Sequence, residues 1–152
     1  MKKGILYFLV LFCLFSCQSS DDSKSPVVLK ELCQRLFPQH ASSFQFELLE
    51  DSLETDHFTL TSQSGKIHIQ GNNYNSMAVG LNYYLKNYCH THVSWYASDS
   101  IAMPEKLPML DKTVSCQATC DNRFFLNYCT FGYTMAYWKW QDWERLIDWM
   151  AL

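Results

Sequence analysis

Between residues 44 and 88 the spacing of apolar side chains changes once, from every second residue to every third or fourth. That change constrains the fold more than any other feature of the chain. Three runs, residues 44–49, 57–61 and 66–70, alternate apolar and polar side chains, as at Phe44, Phe46 and Leu48 or at Ile67 and Ile69, and polar or glycine-containing turns separate them. Alternation of this kind marks strands with one buried face, so the runs predict three adjacent antiparallel strands. From Asn73 onward, Met77, Leu81, Tyr84, Leu85 and Tyr88 fall on one face of a helix that ends near Cys89. A short helix precedes the strands, with Val28, Leu29, Leu32 and Leu36 at helical spacing and Pro38 as its stop, and residues 92–95 read as a fourth strand. The result is a small α/β domain over residues 26–102, with a sheet of three to four strands and accompanying helices.

Residues 103–121, which include two prolines in Met-Pro-Glu-Lys-Leu-Pro, read as an interdomain linker. A second unit begins at residue 122. Its first element, residues 123–129, is an almost continuous apolar and aromatic run, the pattern of a strand buried on both faces in a parallel sheet. Residues 139–152 then repeat Trp140, Trp143, Ile147 and Met150 along a helix. At 152 residues the chain is well short of the roughly 250 that a (β/α)8 barrel needs.

Charge and cysteine usage narrow the functions. A net charge of -3 and the absence of any Lys/Arg run exclude a nucleic-acid partner. The first residues are a targeting segment, residues 1–17, in which Lys2 and Lys3 precede an apolar stretch from 5 to 15 that is too short to span a membrane as a stable helix. Its end, Leu14-Phe15-Ser16-Cys17, resembles the bacterial lipobox, which implies acylation at Cys17 and an outer-membrane lipoprotein facing the periplasm or the cell surface. Residues 18–25 form a tether, and Gln18-Ser19-Ser20-Asp21-Asp22 is similar to the surface-export tag of Bacteroidetes lipoproteins, though it also reads as a solvated spacer. Beyond Cys13 and Cys17 five cysteines remain, Cys33, Cys89, Cys116, Cys120 and Cys129, an odd number that does not make a disulfide scaffold. Cys116 and Cys120 lack the partner spacing of a zinc site, and no metal or cofactor is implied.

The second unit carries the most specific pattern. Asn122-Arg123-Phe124-Phe125 opens it, Asn127-Tyr128-Cys129-Thr130-Phe131-Gly132-Tyr133 follows, and Trp143-Glu144-Arg145-Leu146-Ile147-Asp148-Trp149-Met150-Ala151-Leu152 ends it. This series resembles the start of the barrel of the α-N-acetylglucosaminidases, glycoside hydrolase family 89. Gly80-Leu81-Asn82-Tyr83-Tyr84-Leu85-Lys86 and His92-Val93-Ser94-Trp95 are similar to the small N-terminal domain of that family. The resemblance implies the first βα unit of an incomplete (β/α)8 barrel. It also implies an exo-acting enzyme that removes terminal α-linked N-acetylglucosamine from a glycan by a retaining mechanism with two carboxylates. Both carboxylates are expected on later barrel strands, so no catalytic residue is assigned here and the 152 residues alone are expected to be inactive. The alternative is a non-catalytic surface lipoprotein that binds glycan or a partner.

Within the stretch, Asn127 and Cys129 share one strand face at its C-terminal end, where barrel active sites are built, and Tyr133 follows in the first loop. These three are the candidate substrate-binding residues. Glu144 is expected to face away from the Trp143, Ile147 and Met150 stripe, paired with Arg145 or solvent, and Asp148 to take a helix-surface or salt-bridge role. Glu47, Glu50 and Glu54 read as a solvated face. Replacing Cys17 by Ala should block acylation and release the protein from membranes. Retention of that variant after a carbonate wash would count against the lipid anchor.

Overall fold

The computed structural model describes residues 26–50, 53–96, 101–125 and 135–152. Helix α1 (Val27–Leu36) buries Leu29, Leu32 and Cys33 and stops directly before the Phe37-Pro38 pair, where proline disfavours further helix. Strands β1 (Phe44–Leu48), β2 (His57–Gln63) and β3 (Lys66–Gly71) appear where the alternation places them. Ser64 and Gly65 both take left-handed backbone, with φ of 53° and 77°, and join β2 to β3 through a two-residue turn. Positive φ at both turn residues matches the twist of the flanking strands, which makes β2 and β3 adjacent and antiparallel.

The position of β1 corrects the all-antiparallel expectation. The sheet order is β1-β3-β2-β4, and β1 pairs with β3 in parallel, Phe44 opposite Ile67 and Phe46 opposite Ile69. Two residues can only turn the chain back on itself, whereas the connection from residue 49 to 56 is long enough to carry the chain across to β2 and leave β3 between them.

Helix α2 (Tyr74–Asn87) is capped by Asn73, whose side chain accepts the Ser76 N–H at 2.8 Å. It buries Met77, Ala78, Leu81, Tyr84 and Leu85 against the sheet. Gly80 lies at the closest approach, where a Cβ would sit 3.0 Å from Ile69 Cγ2 and 3.1 Å from the Phe58 ring. At the far end His90 adopts a left-handed φ of 52° and turns the chain so that the Thr91 N–H donates to Leu85 O at 2.9 Å.

Residues 92–95 form no strand, a second correction. Thr91 is buried beside them, with its N–H committed to the helix end and its hydroxyl donating to Ala102 O at 2.5 Å. This stretch therefore leaves the helix as a packed loop, from which Val93 reaches the core. The fourth strand is β4 (Val114–Gln117), antiparallel to β2 and inside the stretch expected as linker. Leu107 and Leu110 from that stretch are buried in the core. The Tyr84 hydroxyl donates to Pro108 O at 2.8 Å, and Ser62 Oγ both donates to Leu110 O and accepts from Leu110 N. The strap thus closes the open end of the small domain.

Residues 123–125 are irregular, and the remainder of the strand expected over 123–129 lies outside the described residues. Helix α3 (Trp140–Ala151) forms as predicted, with the Lys139 N–H donating to Asp142 Oδ2 at 3.0 Å. Its buried residues are Leu146 and Asp148, whereas Trp140, Ile147 and Met150 from the expected apolar stripe are exposed. The face turned to α1 and α2 is a mixed one.

The core holds three titratable groups whose neutral forms burial favours. Desolvation pushes the Cys33 thiol up to about 12 and raises Tyr84 and Cys89 as well. A group whose folded pKa is raised contributes stability that is complete below its unfolded pKa and is lost as pH rises through the folded one. For Cys33 that window runs from 9.0 to about 12. Stability in denaturant titrations should therefore fall steadily above pH 9, and Cys33→Ala should flatten part of the decline. An alkaline profile identical in the two proteins would remove the thiol from the account.

Candidate functional site at the junction of the two segments

Asn127, Cys129 and Tyr133, the residues expected to line a sugar pocket, lie outside the described residues, as does Cys17. The structure does place the chain on either side of the 126–134 stretch. On the incoming side Arg123 forms an ion pair with Asp56, and the Phe125 ring meets Trp149 edge-on at 5.9 Å. Asp56 also accepts from Asn73 Nδ2 at 2.6 Å, so its carboxylate is committed to joining the entry of β2, the start of α2 and the incoming chain.

On the outgoing side Met135 is buried, and Trp138 packs between Trp95 at 5.7 Å and Trp143 at 5.1 Å. Trp95 also lies 6.5 Å from Trp149, so the end of the 91–96 loop and one flank of α3 share an aromatic cluster. Tilted and edge-on geometries at these separations are the favoured ones for aromatic pairs.

The strongest polar contact joins α1 to α3. Arg35 grips Asp148 with two parallel hydrogen bonds, Nε to Oδ2 at 2.8 Å and Nη2 to Oδ1 at 2.6 Å. Asp148 is only 7% exposed, so this ion pair stands in for most of the water the carboxylate has lost. Glu144, one turn earlier on α3, comes to 4.0 Å from Arg35 with its side chain still 37% exposed, so it lies between α1 and solvent. The hydrogen bond to Asp148 is the main reason the Arg35 guanidinium holds its proton more tightly than usual, followed by the nearby charges of Asp148, Glu144 and Glu31. At the end of α3, Asn82 Nδ2 on α2 donates to Leu152 O at 2.5 Å.

A cleft of about 720 Å³ opens beside these contacts, between β2, β4, α2 and the last turn of α3, with Asp56, Phe58, Tyr83, Asp121, Arg123 and Met150 among its walls. The other acids singled out from sequence stand apart from it. Glu47 accepts from Gln70 Nε2 at 2.8 Å on the open sheet face, and Glu50 and Glu54 are exposed. Among the described residues no cluster of three His, Cys, Asp or Glu could hold a metal ion, and no helix is long and apolar enough to cross a membrane.

Sequence reasoning missed the partners of these clamps. Arg35 and Asp148 are 113 residues apart, and Asp56 and Arg123 are 67 apart, so no local spacing connects them. The one available signal was an acid at position 148 between Ile147 and Trp149, within an otherwise aromatic and aliphatic helix.

These features define a class: a small mixed-sheet α/β domain bound by ion pairs to the first helix of a following unit. The family model described as the alpha-N-acetylglucosaminidase N-terminal domain matches residues 28–109, and that of the tim-barrel domain of the same proteins matches residues 123–152. The chain belongs to the α-N-acetylglucosaminidase family, glycoside hydrolase family 89, and comprises its small N-terminal domain followed by the start of the barrel domain. Human alpha-N-acetylglucosaminidase is 29% identical over 139 residues, covering 88% of this chain and 19% of that protein. The family 89 glycoside hydrolase of Clostridium perfringens, solved in complex with PUGNAc, superposes with a TM-score of 0.78 at 33% identity over 90% of this chain. A form of the same enzyme with two glutamates changed to glutamine, in complex with its substrate GlcNAc-alpha-1,4-galactose, gives the same figures. The chain spans 16% of the length of those solved chains.

Proposed function

We propose that these residues are the N-terminal part of an exo-acting glycoside hydrolase that removes terminal α-linked N-acetylglucosamine from a glycan. The observation that carries this reading is the match of both family models, in order and separated by a short gap, to the domain and barrel segments seen in the fold. The proposed chemistry is the retaining two-carboxylate reaction, with one carboxyl as acid/base and the other as nucleophile roughly 5 Å away. Both carboxyls are proposed to lie outside these 152 residues, in keeping with the small share of the related enzymes that the chain spans. The local chemistry is in keeping with this, because Asp56 and Asp148 at the junction are committed to Arg123, Asn73 and Arg35.

In the proposed enzyme Asn127, Cys129 and Tyr133 line the pocket for the terminal sugar. Asn both donates to and accepts from hydroxyls, Tyr offers a ring and a hydroxyl, and Cys gives a close, soft contact. Cys17 carries the lipid that anchors the protein to the outer membrane, facing the periplasm or the cell surface.

Two measurements test the reading. The purified 152-residue chain should release no p-nitrophenol from the aryl α-N-acetylglucosaminide, whereas the complete enzyme should, and turnover by the chain alone would refute the placement of the carboxyls. In the complete enzyme Asn127→Ala should lower kcat/KM by about tenfold to a thousandfold, the loss of one or two substrate hydrogen bonds, with little change in Tm. Full activity in both Asn127→Ala and Tyr133→Phe would remove these residues from the pocket.

A further inference from the structure

The described residues on either side of the proposed sugar-binding residues, Arg123 before them and α3 after them, are tied to the small domain. Arg123 is held by Asp56 at the entry to β2. Asp148 is held by the two-pronged grip of Arg35 on α1, and the end of α3 is held by Asn82 on α2. These contacts come from three different elements of the small domain and meet three different points of residues 123–152. We propose that Arg35 and Asp56 are positioning residues for the start of the barrel unit, fixing where Arg123 and helix α3 rest against the small domain without touching the sugar. This inference rests on the glycosidase reading above.

Geometry favours positioning over simple attachment. Apolar burial holds two surfaces together but tolerates sliding, whereas a fork of two parallel N–H···O bonds defines both the distance and the angle between its partners. Arg35 supplies that fork, and a lysine would supply only a point charge. Asp148 is almost fully buried, so a displaced α3 would leave a carboxylate without its counter-charge, and the docked arrangement is favoured over neighbouring ones. Aromatic contacts add to the ion pairs, Phe125 against Trp149 on the incoming side and Trp138 against Trp95 and Trp143 on the outgoing side. A shift of about 1 Å in groups that bind a reacting substrate can cost on the order of a hundredfold in rate, so a remote clamp of this kind has a kinetic signature.

The test uses the complete enzyme with the aryl α-N-acetylglucosaminide, assayed well below the melting temperature. Arg35→Lys, which keeps the charge and loses the fork, should lower kcat about tenfold while KM changes less than about threefold. Asp56→Asn should act in the same direction. The exchanged pair Arg35→Asp with Asp148→Arg should recover most of the activity that either single change removes. Leu60→Ala, a buried core change in β2 that contributes to neither ion pair, should lower Tm at least as much as Arg35→Lys yet leave kcat near the unaltered value. Equal loss of activity in Leu60→Ala at matched stability, or unchanged kcat in a folded Arg35→Lys, would overturn the proposal. Should the unaltered complete enzyme not hydrolyse the substrate, the glycosidase reading fails and a second arm decides the clamp. In the 152-residue chain, amide exchange across residues 123–139 should be about tenfold faster in Arg35→Lys, and equal exchange would sink it.

Discussion

A sheet with a single apolar face can be covered on one side only, and the architecture of the small domain follows from that constraint. Phe44, Phe46, Phe58, Leu60, Ile67 and Ile69 point one way from β1, β2 and β3 and are buried. Gln45, Glu47, Thr59, Thr61, His68 and Gln70 point the other way, toward water. Both α1 and α2 must therefore share the apolar side, and α2 comes close enough to need a glycine at position 80. Once two helices lie side by side on a four-stranded sheet, their outward surfaces form a second layer onto which a later helix can dock. Arg35 and Asn82, the residues that receive α3, stand on those two helices.

The contact between Arg35 and Asp148 is better read as a specificity device than as a source of stability. Removing a carboxylate and a guanidinium from water costs several kcal/mol per ion, and a well-packed apolar pair of similar size is often at least as stabilising. Arg35 remains about a third exposed, which lessens both the penalty and the gain. What an apolar pair would lack is direction. The two bonds of 2.6 and 2.8 Å hold α3 in one rotation and one register against α1, and Glu144 one turn away reinforces the same cation.

Local periodicity made most of the elements legible. The strands at β1, β2 and β3 and the helices α1, α2 and α3 all sit within a residue or two of the places where spacing predicts them, because each is long enough for its pattern to repeat. Strand β4 has only four residues, with Val114 and Cys116 as its inward pair, and two prolines in the preceding strap suggested a linker. Residues 92–95 have the composition of a strand, but Thr91 directs the chain elsewhere through bonds to Leu85 and Ala102. The parallel pairing of β1 was invisible because it depends on where the chain re-enters the sheet after β1, which no side-chain period records. For the site, a motif pointed to Asn127, Cys129 and Tyr133, and nothing local pointed to the residues that hold their flanks. Contacts between positions 67 and 113 residues apart exist only in the folded chain.

Helix α3 unites these observations, since its two sides have opposite chemistry. Toward the small domain it presents Leu146 with Asp148 and Glu144, a narrow apolar contact framed by charge. Elsewhere it carries Trp140 and Ile147, large apolar side chains open to solvent, and Met150, half-exposed at the wall of the cleft. Exposed apolar side chains of that kind suit broad, non-directional packing against other protein, as a barrel helix requires on the proposed reading. The two sides therefore do different work. Apolar burial on the outer side can supply adhesion to a barrel without defining where along the interface the helix comes to rest. The directional bonds on the inner side can define that position while adding little net stability. A helix held only by the first would be free to settle in several nearly equivalent registers, each carrying the preceding loop to a different place. The polar grip of the small domain selects one of them, which is how a domain distant from the proposed chemistry can bear on it.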